Sequence, residues 1–397
     1  MSALPITGFT ATSCIGCGLA ATLDALLAGR SGLAPCTFET ARLETYVGQV
    51  PAVDEVRVPP ELRRFDSRNN RLALLGLAQD GFIEAVAECA SRWGARRLGL
   101  FLGTSTAGIL ETEIAYRRRG ADGALPAQLD YAATHNPYGL ALFVGRVLGI
   151  EGPSAVTCTA CSSSAKVFGS AQRMIEAGLI DAAVVGGVDS LCLTTLYGFH
   201  ALQLTSRRPC RPFDQAREGI SIGEAAAFAL LERPCAAAPA AQVLLAGVGE
   251  SSDAYHMSSP HPEGLGARLA MSRALAAAAL APRDIDYINL HGTGTPSNDA
   301  AEARAVSSLF GTRVPVSSTK GAAGHTLGAA GALEAVICAL ALRHALAPAG
   351  INTTAPDPAL AVDYLTDNRP DALACVLSNS FGFGGSNCSL LLERSHE

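Results

Sequence analysis

The chain has 397 residues, 49% hydrophobic and only 17% charged, enough to bury a large core or two halves that share one. That balance excludes a disordered chain. A formal net charge of -6 excludes the uniformly basic surface that would select nucleic acid or anionic membranes, so neither partner is expected.

The N-terminus, MSALPITGFTATSCIGCG, has no basic n-region, so no secretory leader is expected there. Twelve cysteines without such a leader suit free thiols in a reducing compartment, and the expected location is cytoplasmic. "ITGFTAT" (Ile6 to Thr12) reads as a first strand. "ELRRFDSRNNR" then gathers Arg63, Arg64, Arg68 and Arg71. "RRLGLFLGTS" reads as a strand ending in a turn that holds Thr106, and "AYRRRG" adds Arg117, Arg118 and Arg119.

"PSAVTCTACSSSAKVFGSAQRMIEAG" is a short β-prone run followed by Ala165, Phe168, Ala171 and Ile175 at helical spacing, with Gly178 as the stop. Cys161 therefore falls at a strand-to-helix turn, where free N–H groups and the helix dipole favour a thiolate. Three readings stand beside each other: a packed core thiol, half of the C-x-x-C pair with Cys158, or a nucleophile. Zinc ligation is disfavoured, because neither this pair nor Cys14–Cys17 has a histidine pattern beside it. Cys158 itself is expected to be a strand residue packed in the core.

Further along, Arg207 and Arg208 precede a loop, and "AAAFALLERP" (Ala225 to Pro234) closes the first half as a strand. An Ala/Pro-rich connector (residues 233–242) leads into "LLAGVGE" (Leu244 to Glu250), a second opening strand. The tetrapeptide LLER recurs at Leu230–Arg233 and Leu391–Arg394, each time ending a strand-like run, which points to duplicated halves of residues 1–235 and 236–397. Strands alternate with Ala/Leu-rich helices throughout, which predicts an α/β protein with buried, largely parallel sheets. The apolar stretch from Gly328 to Ala347 carries Glu334, Arg343 and His344, and a buried helix explains it better than a membrane span.

Three glycine-rich loops in the second half carry polar residues at strand ends: His291 in "NLHGTGTPSNDAAEA", Lys320 and His325 in "SSTKGAAGHTLGAAGALEA", and the Phe381/Phe383 pair in "SNSFGFGGSN". With TACSSS and RPFDQAREGISIGEAA, these motifs resemble, in order and along essentially the whole chain, the β-ketoacyl-acyl-carrier-protein synthases, the condensing enzymes of fatty-acid and polyketide synthesis.

The resemblance implies the thiolase fold, a five-layer αβαβα sandwich of two duplicated halves. It implies a Cys161/His291/His325 catalytic set, with Lys320 and Glu334 in support and Asp299 holding the histidine loop. It implies an oxyanion hole from the N–H groups of Cys161 and Phe383, with Gly382 and Gly384 allowing the approach and Phe381 beside the gate. Thr293 and Thr295 match the hydroxyls that bind phosphopantetheine, Thr106 stands where the family often has a bulky aliphatic residue lining the acyl pocket, and Phe199 is implied as a further substrate-binding residue. The second histidine marks an elongating, decarboxylating enzyme. No metal and no tightly bound cofactor are implied, since substrates arrive on the phosphopantetheine of an acyl carrier protein. Arg63, Arg64, Arg68, Arg71, Arg117, Arg118, Arg119 and Arg207 match the family's docking regions for that acidic partner. A homodimer, or a heterodimer with a chain-length-factor-like chain, is the implied assembly, and aryl-polyene as well as ordinary fatty-acid elongation fits. The alternatives are a thiolase-like coenzyme A acyltransferase and a non-enzymatic subunit that only shapes an acyl tunnel.

Overall fold

The computed structural model describes residues 3–236 and 242–395; residues 237–241, the middle of the Ala/Pro-rich connector, lie outside the described residues. In the first half the main strands are β1 (Leu4–Ser13), β2 (Leu98–Gly103), β3 (Ser154–Thr157), β4 (Ala182–Asp189) and β5 (Ala225–Glu232). Its main helices are α1 (Arg68–Leu77), α2 (Phe82–Trp93), α3 (Tyr138–Leu148), α4 (Ser163–Glu176) and α5 (Leu193–Ala201). The second half adds β6 (Val243–Ser252), α6 (Leu265–Ala278), β7 (Tyr287–Asn289), α7 (Pro296–Phe310), β8 (Pro315–Ser317), α8 (Ala330–His344), β9 (Asp363–Tyr364), β10 (Cys375–Gly382) and β11 (Ser386–Arg394). Every residue of β2, β4 and β5 is buried, which is why their sequences read as unbroken apolar or small-residue runs rather than alternating ones.

The strand order β9-β8-β7-β10-β11-β6-β1-β5-β4-β2-β3 contains one pattern twice. β1 and β5, then β5 and β4, pair antiparallel, while β4 and β2, then β2 and β3, pair parallel. The series β6-β11-β10-β7-β8 repeats those directions one for one. The LLER repeat sits at equivalent registers: Leu230 opposes Gly8 and Leu391 opposes Gly247, and each pairing carries an irregularity immediately before that glycine. The sheets are thus mixed rather than largely parallel, because the first and last strands of each half form antiparallel pairs.

α4 and α8 fill the space between the two halves. Phe168 and Ile175 of α4 and Leu333 and Ile337 of α8 share one core with Val185, Ala229, Val376 and Leu390 of the strands. Leu72, Val86 and Phe143 cover the outer face of the first half, and Ala270, Met271 and Val306 cover that of the second. The layers therefore run helix, sheet, helix, sheet, helix. The two central helices touch closely: a Cβ on Gly331 would lie 2.7 Å from the Ala165 Cβ, so a side chain there would force them apart. The segment Leu327–His344 is long and apolar enough to cross a membrane, yet 89% of it is buried in this central layer.

Candidate active site

Cys161 stands between the end of β3 and the start of α4. Ala160, the residue before it, adopts φ 50, a left-handed conformation that swings Cys161 into the interior. The serines that follow hold this turn: Ser163 Oγ accepts from the Thr159 N–H at 2.9 Å and donates to the Ala160 carbonyl at 2.6 Å, and Ser162 Oγ donates to the Thr159 carbonyl at 2.9 Å. Ser164 Oγ accepts from the Ala332 N–H of α8 at 2.9 Å, locking the nucleophile turn to the central layer. Cys158, expected in the core, is instead exposed; it lies just beyond β3, an edge strand paired only with β2 among the described residues.

Both histidines reach this turn from the second half, His291 from just past the end of β7 and His325 from just past the short helix Lys320–Ala323. His325 Nε2 lies 3.0 Å from Cys161 Sγ, and the His291 and His325 rings meet edge to face with centroids 5.3 Å apart. All three residues are buried and line one cavity with Phe199, Thr293, Thr295, Phe381 and Phe383. Burial, reinforced by the Lys320 charge, pulls both imidazoles well below 6.5, so each is neutral at physiological pH. Neither Nδ1 has a hydrogen-bond partner among the described residues. Burial also pushes the Cys161 thiol up to about 11, against the opposing pull of Lys320 and of the Phe383 N–H. The helix terminus therefore does not deliver a preformed thiolate, because desolvation outweighs it. The thiol proton has an acceptor in His325 instead.

Gly382 brings β10 against the nucleophile turn: a Cβ there would lie 2.8 Å from the Thr159 carbonyl oxygen and 3.2 Å from the Cys161 nitrogen. The N–H groups of Phe383 and of Cys161 itself both lower the thiol against the effect of burial, so both face the region of the sulfur. The Phe383 ring packs on Phe199 at 5.7 Å, and Phe381 packs on His291 at 5.9 Å. Gly384, at φ 78, is exposed and donates to the Met257 carbonyl at 2.7 Å, which ties the phenylalanine turn to the cavity mouth.

The supporting charges lie one layer back. Lys320 and Glu334 form a close buried ion pair, and burial pushes the Glu334 carboxyl up to about 7. Asp299 accepts from the N–H groups of Thr293 at 3.1 Å and Gly294 at 3.2 Å, and from Phe213 at 2.9 Å, so it fixes the histidine loop from below. Thr293 and Thr295 share a 2.8 Å hydroxyl contact at the cavity wall. Two further acids were not singled out in the sequence. Glu302, one turn of α7 beyond Asp299, accepts from the N–H groups of His291 and Gly292, each at 2.8 Å. Asp189, at the end of β4, accepts from Thr106 N and Oγ1, each at 2.9 Å, and from the Gly328 N–H at 2.6 Å. The i, i+3 spacing of Asp299 and Glu302 was the available signal for the first; Asp189 ends an apolar run like many strand-terminal acids and gave none.

Thr106 is thereby held in the Asp189 network and is not among the residues lining the cavity beside Cys161. The arginine clusters also divide. Arg63, Arg64, Arg117, Arg118, Arg119 and Arg207 are exposed, with Arg64 paired to Asp130 at 2.9 Å and Arg117 to Glu39 at 3.3 Å. Arg71 is half-buried and chelates Asp66. Arg68 is only 5% exposed and cannot meet a partner protein, because its guanidinium is consumed by Glu224. The Cys161, His291 and His325 donor atoms lie within 4.8 Å of one another, a spacing that could also seat a soft divalent ion, though the Lys320 charge would oppose a cation there.

A thiol, two neutral imidazoles and a paired N–H site at the meeting of two duplicated α/β halves define a thiolase-fold condensing enzyme. The sequence profiles of the β-ketoacyl synthase N-terminal domain, over residues 1–237, and C-terminal domain, over residues 243–354, both match. The chain belongs to the β-ketoacyl synthase family, and it is an acyltransferase-type enzyme. It is 34% identical to 3-oxoacyl-[acyl-carrier-protein] synthase 2 of Coxiella burnetii, with 98% of each chain covered. It is 41% identical to a mitochondrial 3-oxoacyl-[acyl-carrier-protein] synthase of Arabidopsis thaliana over 61% of this chain and 57% of that protein. Among solved structures it resembles the ketosynthase ApeO, determined in complex with its chain length factor ApeC from Xenorhabdus doucetiae. That match has a TM-score of 0.88 and 38% identity, covering 99% of this chain and 98% of the other. The ishigamide ketosynthase/chain length factor matches with a TM-score of 0.90 and 27% identity, covering 99% of each chain.

Proposed function

We propose that the enzyme elongates an acyl chain by decarboxylative condensation, with Cys161 as nucleophile and His291 and His325 as the enolate-stabilising pair. The observation that carries this is the 3.0 Å contact of His325 with Cys161 beside a second neutral imidazole. Cys161 Sγ gives its proton to His325 and attacks the carbonyl carbon of an acyl thioester; as the C–S bond breaks, His325 returns the proton to the departing phosphopantetheine sulfur and is again neutral. The N–H groups of Cys161 and Phe383 hold the oxyanion of that addition. A malonyl thioester then enters, its C–C bond to the carboxylate breaks, and CO2 leaves. The electron pair moves into a thioester enolate, whose oxygen takes hydrogen bonds from the two imidazoles. The enolate carbon attacks the acyl-Cys161 carbonyl and Cys161 departs, leaving a β-ketoacyl product. Lys320, Glu334 and Asp299 maintain the pair, Thr293 and Thr295 receive the phosphopantetheine arm, and Phe199, Phe381 and Phe383 form the gate. On this reading residues 1–235 supply the nucleophile and 236–397 the histidines, a division supported by the duplicated strand order.

Substrates arrive on an acyl carrier protein, which docks on Arg63, Arg64, Arg117, Arg118, Arg119 and Arg207. The enzyme pairs with a second ketosynthase-fold chain, a copy of itself or a chain-length-factor-like partner. The open edge of β3 supports this, since exposed Tyr138 bonds Ser154 of that strand at 2.7 Å and exposed Leu142 lies beside it. Twelve cysteines, none of them in a disulfide among the described residues, support a reducing, cytoplasmic location. The likeness to ApeO, a ketosynthase determined with its chain length factor, supports a chain-length-factor-like partner. Intact-mass measurement after incubation with acyl-carrier proteins tests the core of the reading: one acyl adduct should form, and a Cys161→Ala protein that still acquires it would overturn the assignment.

A further inference from the structure

Arg68 is almost wholly buried, yet it is held by more groups than a helix start requires. Its Nε and Nη2 clasp the Glu224 carboxylate at 2.9 and 2.6 Å, its Nη1 meets Asp54 at 2.6 Å, and its guanidinium lies 5.2 Å over the Phe38 ring. Glu224 is fully buried and also accepts from the N–H groups of Val50 and Leu191 at 2.8 and 2.9 Å. A carboxylate with that many donors is a fixed point in the interior.

What that point fixes is the backbone of His325. Glu224 directly follows the short strand Ile222–Gly223, which pairs in parallel with Tyr46–Gly48 on one side. On its other side the same segment holds His325: the His325 N–H donates to the Ser221 carbonyl at 2.7 Å, and the His325 carbonyl accepts from the Gly223 N–H at 3.0 Å. The glycine is required, since a Cβ on Gly223 would lie 2.2 Å from the Ala323 carbonyl oxygen. A rigid chain of contacts thus runs from Arg68 through Glu224 and residues 221–223 to the imidazole at Cys161.

We infer that Arg68 and Glu224 are positioning residues for His325: their buried ion pair sets where the imidazole stands against the nucleophile. The inference rests on the role proposed above for His325, and it assigns Arg68 to the catalytic step rather than to carrier-protein docking.

The test uses the full-length enzyme with Arg68→Met and Glu224→Gln, with Asp54→Asn as the solvent-side control. Steady-state turnover with malonyl- and acyl-carrier proteins should show kcat reduced on the order of tenfold or more in both variants, with the carrier-protein KM unchanged and the control near wild type. A raised KM at unchanged kcat would return Arg68 to the docking surface and overturn the inference. The second readout needs no substrate: the rate at which iodoacetamide alkylates Cys161, followed by mass. Arg68→Met should slow alkylation in the wild-type background and add nothing once His325 is replaced by alanine. Equal slowing in both backgrounds would show a general structural effect and overturn the inference. Should Arg68→Met fail to fold by circular dichroism, Glu224→Gln carries both measurements. A wild-type enzyme that alkylates normally but performs no condensation would count against the proposed function alone, and the alkylation arm would still decide this point.

Discussion

His325 Nε2 and Cys161 Sγ stand 3.0 Å apart although 164 positions separate them in the chain. Around that contact the two halves supply unlike chemistry, a thiol from one and two neutral imidazoles from the other. The pairing implies a division of steps. His291→Ala should retain acyl transfer to Cys161 while malonyl decarboxylation falls by on the order of 100-fold or more, since a removed oxyanion donor costs about that much. Loading followed by intact mass, beside CO2 release, separates the two steps. An equal loss of loading and decarboxylation would contradict the division.

Cys161→Gln removes the nucleophile but places an amide where the acyl group would sit. Condensation should vanish while malonyl decarboxylation persists, because the histidines that hold the enolate are untouched. Abolition of CO2 release in a folded Cys161→Gln protein would tie decarboxylation to the thiol itself.

Burial raises the Cys161 thiol to about 11, while Lys320 pulls it down. Alkylation of Cys161 should therefore climb through the alkaline range without the midpoint near pH 8.5 at which an unperturbed thiol is half-ionised. Lys320→Met should move the rise further up. A plateau by pH 8 in the wild type would show that desolvation does not dominate.

Both histidines are depressed below their unfolded value of 6.5. Below that pH the unfolded chain takes up protons that the native site refuses, so stability is full above about 6.5 and falls as pH drops. The slope approaches about 1.4 kcal/mol per pH unit for each histidine. Urea unfolding at pH 7, 6 and 5 should show the decline, and the His291→Ala/His325→Ala protein should show a shallower one. Parallel slopes in the two proteins would place the acid sensitivity elsewhere.

How far the sequence carried these conclusions depends on what kind of contact each residue makes. The LLER repeat was readable because a strand's register is written in its own residues, and Leu230 and Leu391 do occupy equivalent places opposite Gly8 and Gly247. The strand-to-helix position of Cys161 was readable for the same reason. The sheet directions were not, since an antiparallel β1–β5 pair joins residues more than 200 positions apart. Arg68 and Arg64 look alike in "ELRRFDSRNNR", yet one is 5% exposed and the other faces solvent beside Asp130. Their difference comes from Glu224, over 150 residues away, which local pattern cannot reveal. The thiol's elevation was missed for a related reason, because a helix terminus is visible locally while desolvation is a property of the whole packed site.

The buried Lys320–Glu334 pair supplies the last prediction. The lysine is 2% exposed and its partner 2%, so each charge depends on the other for most of its stabilisation. Replacing Lys320 alone by methionine leaves a carboxyl in the central layer whose Oε2 already has no hydrogen-bond partner among the described residues. The loss should reach about 3–5 kcal/mol, the usual cost of breaking one side of a buried ion pair. Lys320→Met/Glu334→Leu removes both charges and should recover most of that stability. Activity should not return with it, because the positive charge that adds to burial in holding His291 and His325 neutral would still be missing from the site. Chemical denaturation together with decarboxylation assays separates the two effects. A double variant restored in both stability and turnover would reduce the pair to a structural ion pair with no electrostatic part in the reaction.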